Sequence, residues 1–237
     1  SSIVTDLAGE GLSAASLRRI AAADVSTLPL VENTRLGAPV GNVRNFIAVG
    51  LNYADHAAEA GAAIPAEPIL FNKAPSCIGG PNDPILIPRG SEKTDWEVEL
   101  AVVIGEAASY VSEQDAHEVI AGYTICHDVS ERAFQLERGG QWMKGKGCPT
   151  FGPLGPWLVT PDEVGDVQNL SLWLDVNGKR MQTGSTERMI FRVPFLVSYI
   201  SMHMALEPGD VITTGTPPGV GMGKKPPLAI DRPQRIV

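Results

Sequence analysis

The chain has 237 residues, 43% of them hydrophobic, enough for one sizeable core with a small appendage. Its formal net charge of −8 argues against nucleic-acid or anionic-membrane partners, because phosphates would be repelled. Three widely spaced cysteines, Cys77, Cys126 and Cys148, form neither a disulfide framework nor a C-x-x-C metal pattern, and no apolar run is long enough to span a membrane; a cytoplasmic protein is expected.

In chain order, residues 1–44 read as a peripheral segment with one short amphipathic helix near Leu12–Ile20, and residues 45–237 as the main domain with the core. Asn45–Gly50 is a strand ended by glycine, and the alanine-rich stretch from Leu51 to Gly61 is a short helix. His56 and Glu59 stand i, i+3 on that helix, so a carboxylate can orient an imidazole, the arrangement of a general base; an exposed surface pair is the plain alternative. Ile69–Lys73 is a second strand, with Lys73 at its end facing either solvent or a pocket.

Asp95–Gly105 is the central stretch: Asp-Trp-Glu-Val-Glu followed by an apolar β-branched run. Alternation along a strand puts Glu97 and Glu99 on one face. Two like charges entering a core need a cation, and carboxylate oxygens suit Mg²⁺, Mn²⁺ or Ca²⁺; the alternative is a solvated strand end. Ser112–Asp115 fits a capping box for a helix running to Ile120. Asp128, after the strand from Gly122, is either a third metal carboxylate or the cap of a helix over 129–136, on which Arg132 and Gln135 share a face. Residues 141–157 are rich in glycine and proline and read as irregular, with Lys146 either near substrate or solvated. Asn177-Gly178 marks a hairpin, 193–206 a core-packing helix whose His203 is structural, and 208–221 a turn, a strand and a glycine-rich loop. That loop's backbone N–H groups and the Thr216 hydroxyl can hold a carboxylate or enolate, or it is a Pro-Gly turn without a ligand.

Together and in this order, the motifs G-L-N-Y-x-x-H-x-x-E (50–59), D-W-E-V-E-L-A-V-V-I-G (95–105), H-D-V-S-E-R (127–132), G-K-x-x-x-T-F-x-P-L-G-P-W (145–157) and T-G-T-P-x-G-V-G (214–221) resemble the fumarylacetoacetate hydrolase family. The resemblance implies an α+β, mainly β fold, a mixed β-roll with peripheral helices, usually dimeric. It implies Mg²⁺ or Mn²⁺ on Glu97, Glu99 and Asp128, and a water-activating pair, His56 and Glu59, on a mobile lid. Lys146 would stabilise oxyanion charge, and Arg132, Gln135, Thr216, Tyr53 and Lys73 would bind substrate. The implied reaction is C–C bond hydrolysis of a 2,4-diketo acid, with 2,4-diketo-3-deoxy-L-rhamnonate or fuconate among the candidates. The alternative on the same metal site is oxaloacetate decarboxylation, or another lyase or hydratase reaction of a 2-oxo acid, ureidoglycolate lyase-like included. Departures are Pro149 in the lysine loop, a nearly absent amino-terminal small domain and a short tail after Pro227, so the sequence is expected to omit terminal residues.

Overall fold

A computed structural model describes residues 7–30, 32, 34–230 and 236; the ends of the amino-terminal segment and of the tail lie outside the described residues. In chain order the strands are β1 (Phe46–Gly50), β2 (Ile69–Lys73), β3 (Ile78–Gly79), β4 (Thr94–Asp95), β5 (Val98–Ile104), β6 (Ile120–His127), β7 (Ser130–Glu131), β8 (Gly152–Pro153), β9 (Ser171–Val176), β10 (Lys179–Ser185) and β11 (Val211–Thr213). The α-helices are α1 (Ala14–Ala21), α2 (Ala54–Glu59), α3 (Arg132–Leu136), α4 (Met143–Lys146), α5 (Pro161–Val164) and α6 (Val193–His203).

Five strands make a mixed sheet in the order β2-β1-β11-β5-β6. β1 and β11 run parallel; the other neighbours are antiparallel. The sheet is covered on both faces, as the unbroken apolar run of β5 requires, all seven of whose residues are buried. Leu100, Val102 and Ile104 pack with Leu196, Val197 and Ile200 of α6 and with Leu172 and Leu174 of β9. The alternate residues Ala101 and Val103 join Phe46, Val211, Phe151, Leu154 and Leu12 on the other side. Each fully buried Leu, Ile or Val contributes about 1.5–3 kcal/mol. The fold is thus α+β and mainly β, as expected.

Leu12 and Val40 reach into the second cluster, while Ile20, Val25, Leu28 and Leu30 are exposed. The hairpin joins β9 to β10 through Asn177 (φ 52°) and Gly178 (φ 78°), the positive pair that a type I′ turn needs. The helix expected over 193–206 ends at His203 and that expected from Leu51 to Gly61 spans Ala54–Glu59; two further helices differ more. The segment after Ser112–Asp115 is only a 3₁₀ turn, Ala116–Val119, because β6 starts at Ile120 and draws the chain into the sheet. The helix expected over 129–136 starts at Arg132, since Ser130 and Glu131 pair with β4; its cap is Glu131, whose carboxylate accepts from Ala133 N, so Asp128 is free of capping duty.

β11 is fixed at its start by Asp210, whose carboxylate accepts from Asn45 N, Asn45 Nδ2 and Glu207 N, each at 2.9 Å. Asp210→Ala orphans these donors beside the sheet and is expected to cost about 2–3 kcal/mol. Urea denaturation reads this as a lowered midpoint with an unchanged slope; an unchanged midpoint would show that water replaces the carboxylate at no cost.

Candidate active site

The site forms where β5 enters the sheet beside β6. Between β4 and β5 the chain breaks its pairing at Trp96 and Glu97, and Glu97 O instead accepts from Asp128 N at 2.9 Å. This contact brings the end of β6 against the start of β5. One oxygen each of Glu97, Glu99 and Asp128 then lies within 4.8 Å of the others, all three residues buried.

Buried cations answer these charges. Lys146 Nζ, presented by α4, donates to Glu97 Oε2 at 2.6 Å and to Asp128 Oδ2 at 2.7 Å. Lys73 Nζ donates to Asp128 Oδ1 at 2.6 Å and to the Lys146 carbonyl. Arg132 reaches Glu97 Oε1 at 2.6 Å and Asp95 Oδ2 at 2.8 Å, and its NH1 donates to Gln135 Oε1 at 3.0 Å. Four buried carboxylates, Asp95 included, therefore share three cations. Among the described residues Glu99 has no direct ion pair; its Oε2 accepts from Gly215 N at 2.9 Å. Burial, then Asp128, then Glu97, push the Glu99 carboxyl well above the usual range. Burial acts the same way on Glu97, but Lys146 and Arg132 overcome it and hold that carboxyl low. A divalent ion supplies the positive charge that Glu99 lacks, and opposite ligands of such an ion, with bonds of about 2.1–2.5 Å, stand about 4–5 Å apart. The donor set is all carboxylate oxygen, the set that hard cations take. These residues fit a hard divalent cation.

A cavity of about 170 Å³ opens over the cluster, lined by Glu97, Glu99, Arg132, Gln135, Lys146, Thr216 and His56 together with apolar side chains. His56 is 7% exposed, and its Nδ1 lies 3.3 Å from Glu59 Oε2. Glu59 is held in turn by Gly219 N, 3.0 and 2.9 Å from its two oxygens. The pair is thus an oriented imidazole facing the cavity, with its carboxylate behind it and anchored to backbone. Thr216 Oγ1 donates to Val98 O and accepts from Gln182 Nε2, each at 2.8 Å, so its hydroxyl proton is already used inside the loop.

Tyr53 and Lys73, expected among the substrate-binding side chains, do not line the cavity. Tyr53 is fully buried in the larger apolar cluster, where burial keeps its phenol protonated. Lys73 is 1% exposed and sits behind Asp128 as a counter-ion, because β2 pairs with β1 and points its last side chain inward. Sequence reasoning passed over Asp95 and Gln182. Asp95 is 1% exposed and ties Arg132 to Gly221 N (2.6 Å) and Met222 N (2.9 Å). The signal was present: Asp95, Glu97 and Glu99 follow one alternation. Gln182 fastens Val98 N and Pro217 O, and nothing in the hairpin sequence marks it. No helix among the described residues is long and apolar enough to cross a membrane.

Residues 45–236 match the model of the fumarylacetoacetate (FAA) hydrolase C-terminal domain. A Burkholderia ambifaria protein provisionally named a hydrolase is 62% identical over 224 residues, covering 94% of this chain and 79% of its own. The structure is similar to fumarylacetoacetate hydrolase from Exiguobacterium antarcticum (TM-score 0.83, 41% identity, 90% of this chain and 77% of that one). It is also similar to 5-carboxymethyl-2-hydroxymuconate delta-isomerase from Mycobacterium smegmatis (TM-score 0.72, 45% identity, 79% of this chain and 72% of that one). The match runs through every element that builds the cavity, and the chain belongs to the fumarylacetoacetate hydrolase family of enzymes.

Proposed function

We propose that the protein is a Mg²⁺- or Mn²⁺-dependent hydrolase that cleaves the C3–C4 bond of a 2,4-diketo acid, an acylpyruvate, giving pyruvate and a carboxylic acid. One observation carries this reading: His56, backed by Glu59, lines the same small cavity as Glu97 and Glu99, two of the three carboxylates that lie close enough together to hold a divalent ion. Glu97, Glu99 and Asp128 would hold the ion. When bound, it supplies Lewis-acid polarisation and charge neutralisation for the 2-oxo acid end of the substrate. His56 takes a proton from water as that water adds to the C4 carbonyl, and Glu59 keeps the ring oriented and stabilises its charged form. The C3–C4 bond then breaks, its electron pair leaves on C3 as pyruvate enolate, and a proton returned to C3 completes pyruvate. Lys146, buried among carboxylates, stabilises negative charge that grows toward the transition state. Arg132 and Gln135 orient the substrate, and the backbone around Thr216 closes the side of the site. The working form on this reading is a cytoplasmic homodimer.

Likeness to an isomerase favours a second reading, lyase or isomerase chemistry on a 2-oxo acid without an attacking water, with oxaloacetate decarboxylation as its simplest form. Turnover with Mg²⁺ in H₂¹⁸O separates the two. The hydrolase is expected to release pyruvate from an acylpyruvate and to place ¹⁸O in the carboxylic acid. Decarboxylation of oxaloacetate with the acylpyruvate left intact would overturn the hydrolase reading.

A further inference from the structure

The cavity is chemically divided. Its charged lining groups gather at the acidic cluster, while the rest of the wall includes Leu51, Phe71, Leu136, Trp142 and Met222. Phe71 and Trp142 meet edge to face, ring centroids 5.3 Å apart. Trp142 lies against bare backbone: a Cβ on Gly50 would stand 2.3 Å from its Cζ3. Leu136 is 46% and Met222 38% exposed, so apolar surface is left uncovered at the mouth. The two cationic lining residues are already engaged, Arg132 by Asp95 and Glu97, Lys146 by Glu97 and Asp128. Among the apolar lining side chains Leu51, Leu136, Trp142 and Met222 only the indole N–H can donate; Gln135, whose Oε1 accepts from Arg132, and the Lys146 ammonium, 5.3 Å from the Phe71 ring centroid, belong to the charged side.

We infer that the group on the far side of the 2-oxo acid is apolar, an alkyl or aryl acyl chain seated against Phe71, Trp142 and Leu136. This rests on the 2-oxo acid reading of the site and narrows it. A second carboxylate or a polyhydroxylated chain loses its water at this wall and gains no partner, whereas each buried methylene gains affinity. The hydroxylated sugar acids among the candidate substrates are thereby disfavoured.

Calorimetry in the presence of Mg²⁺ tests the inference with three oxo-acid analogues that do not turn over: oxalate, N-isobutyloxamate and its near-isostere N-carboxymethyloxamate. The isobutyl compound is expected to bind at least about tenfold more tightly than the carboxymethyl one. Leu136→Arg, at a half-exposed position, is expected to reverse that order. Equal or tighter binding of the carboxymethyl compound by the unaltered protein overturns the inference while leaving the 2-oxo acid reading intact. A Leu136→Arg protein that keeps the original order removes Leu136 from the acyl wall. Failure of oxalate itself to bind overturns the reading of the centre, and the inference with it.

Discussion

His56→Ala is expected to lower kcat for an acylpyruvate by about 10²–10⁴-fold, the range that a positioned general base supplies. The imidazole is the one basic group on the cavity wall outside the carboxylate–ammonium cluster, and its orientation is set by Glu59 at 3.3 Å. Alanine favours the helix in which the residue stands, so the fold should persist. His56 makes no bond to Glu97, Glu99 or Asp128, and Mg²⁺ affinity measured by calorimetry should stay near its original value. The distinctive result is selective: water addition fails, while binding of oxalate in the presence of Mg²⁺, which needs no attacking water, survives. A variant with the original kcat would remove water activation from His56, and one that loses turnover and oxalate binding together would favour a binding role.

Glu99→Gln should separate metal binding from stability, with opposite signs. Glutamine keeps an oxygen to accept from Gly215 N but removes the one carboxylate of the acidic cluster that, among the described residues, has no direct ion pair. The metal-free protein is therefore expected to melt about 2–4 °C higher, the shift that about 1 kcal/mol produces in a chain of this size. Mg²⁺ affinity should fall by 100-fold or more, since even outer contacts of metal ligands are worth about 10–100-fold. The pH dependence has a defined sign. The folded carboxyl titrates above its ordinary value of 4.5, so between that value and its folded pKa the native state binds more protons than the unfolded chain. Stability of the metal-free protein falls as pH rises through this window, while the Mg²⁺-induced rise in melting temperature grows with pH, because the ion takes the ionised form. Thermal melts with and without Mg²⁺ across pH 5–8 should show both trends in the unaltered protein and neither in Glu99→Gln. A lower melting temperature for the metal-free variant would mean that Glu99 is already neutralised by its neighbours.

How far the site can be read from sequence depends on the range of the interaction. Glu97 and Glu99 are legible because strand alternation is local, and His56 and Glu59 because helical spacing is. Asp128 stands 29 positions beyond Glu99; its place after a strand left it open between third metal carboxylate and helix cap, and the family resemblance chose the first, because the bond from Asp128 N to Glu97 O is a tertiary event without local signature. Lys73 was ambiguous because burying a lysine depends on a counter-ion 55 residues away. The segment 141–157 read as irregular, yet it holds the helical turn that presents Lys146. There glycine reflects crowding: a Cβ on Gly145 would stand 2.4 Å from Glu131 O. The sheet and hairpin, set by apolar runs and Asn-Gly, were plain throughout.

The segment from Thr214 to Met222 touches several functional parts of the pocket at once. Gly215 N holds Glu99, Gly219 N holds Glu59, and Gly221 N holds the aspartate that grips Arg132. At Gly215 (φ 91°) and Gly219 (φ 109°) the backbone bends as few other residues can. On the proposed reading, proton abstraction, ion capture and substrate orientation thus hang from one common mount. A side chain forced into either bend would not tune a single step. Rate and ion affinity would drift together, and a change beneath this mount would be hard to repair by any one substitution in the pocket.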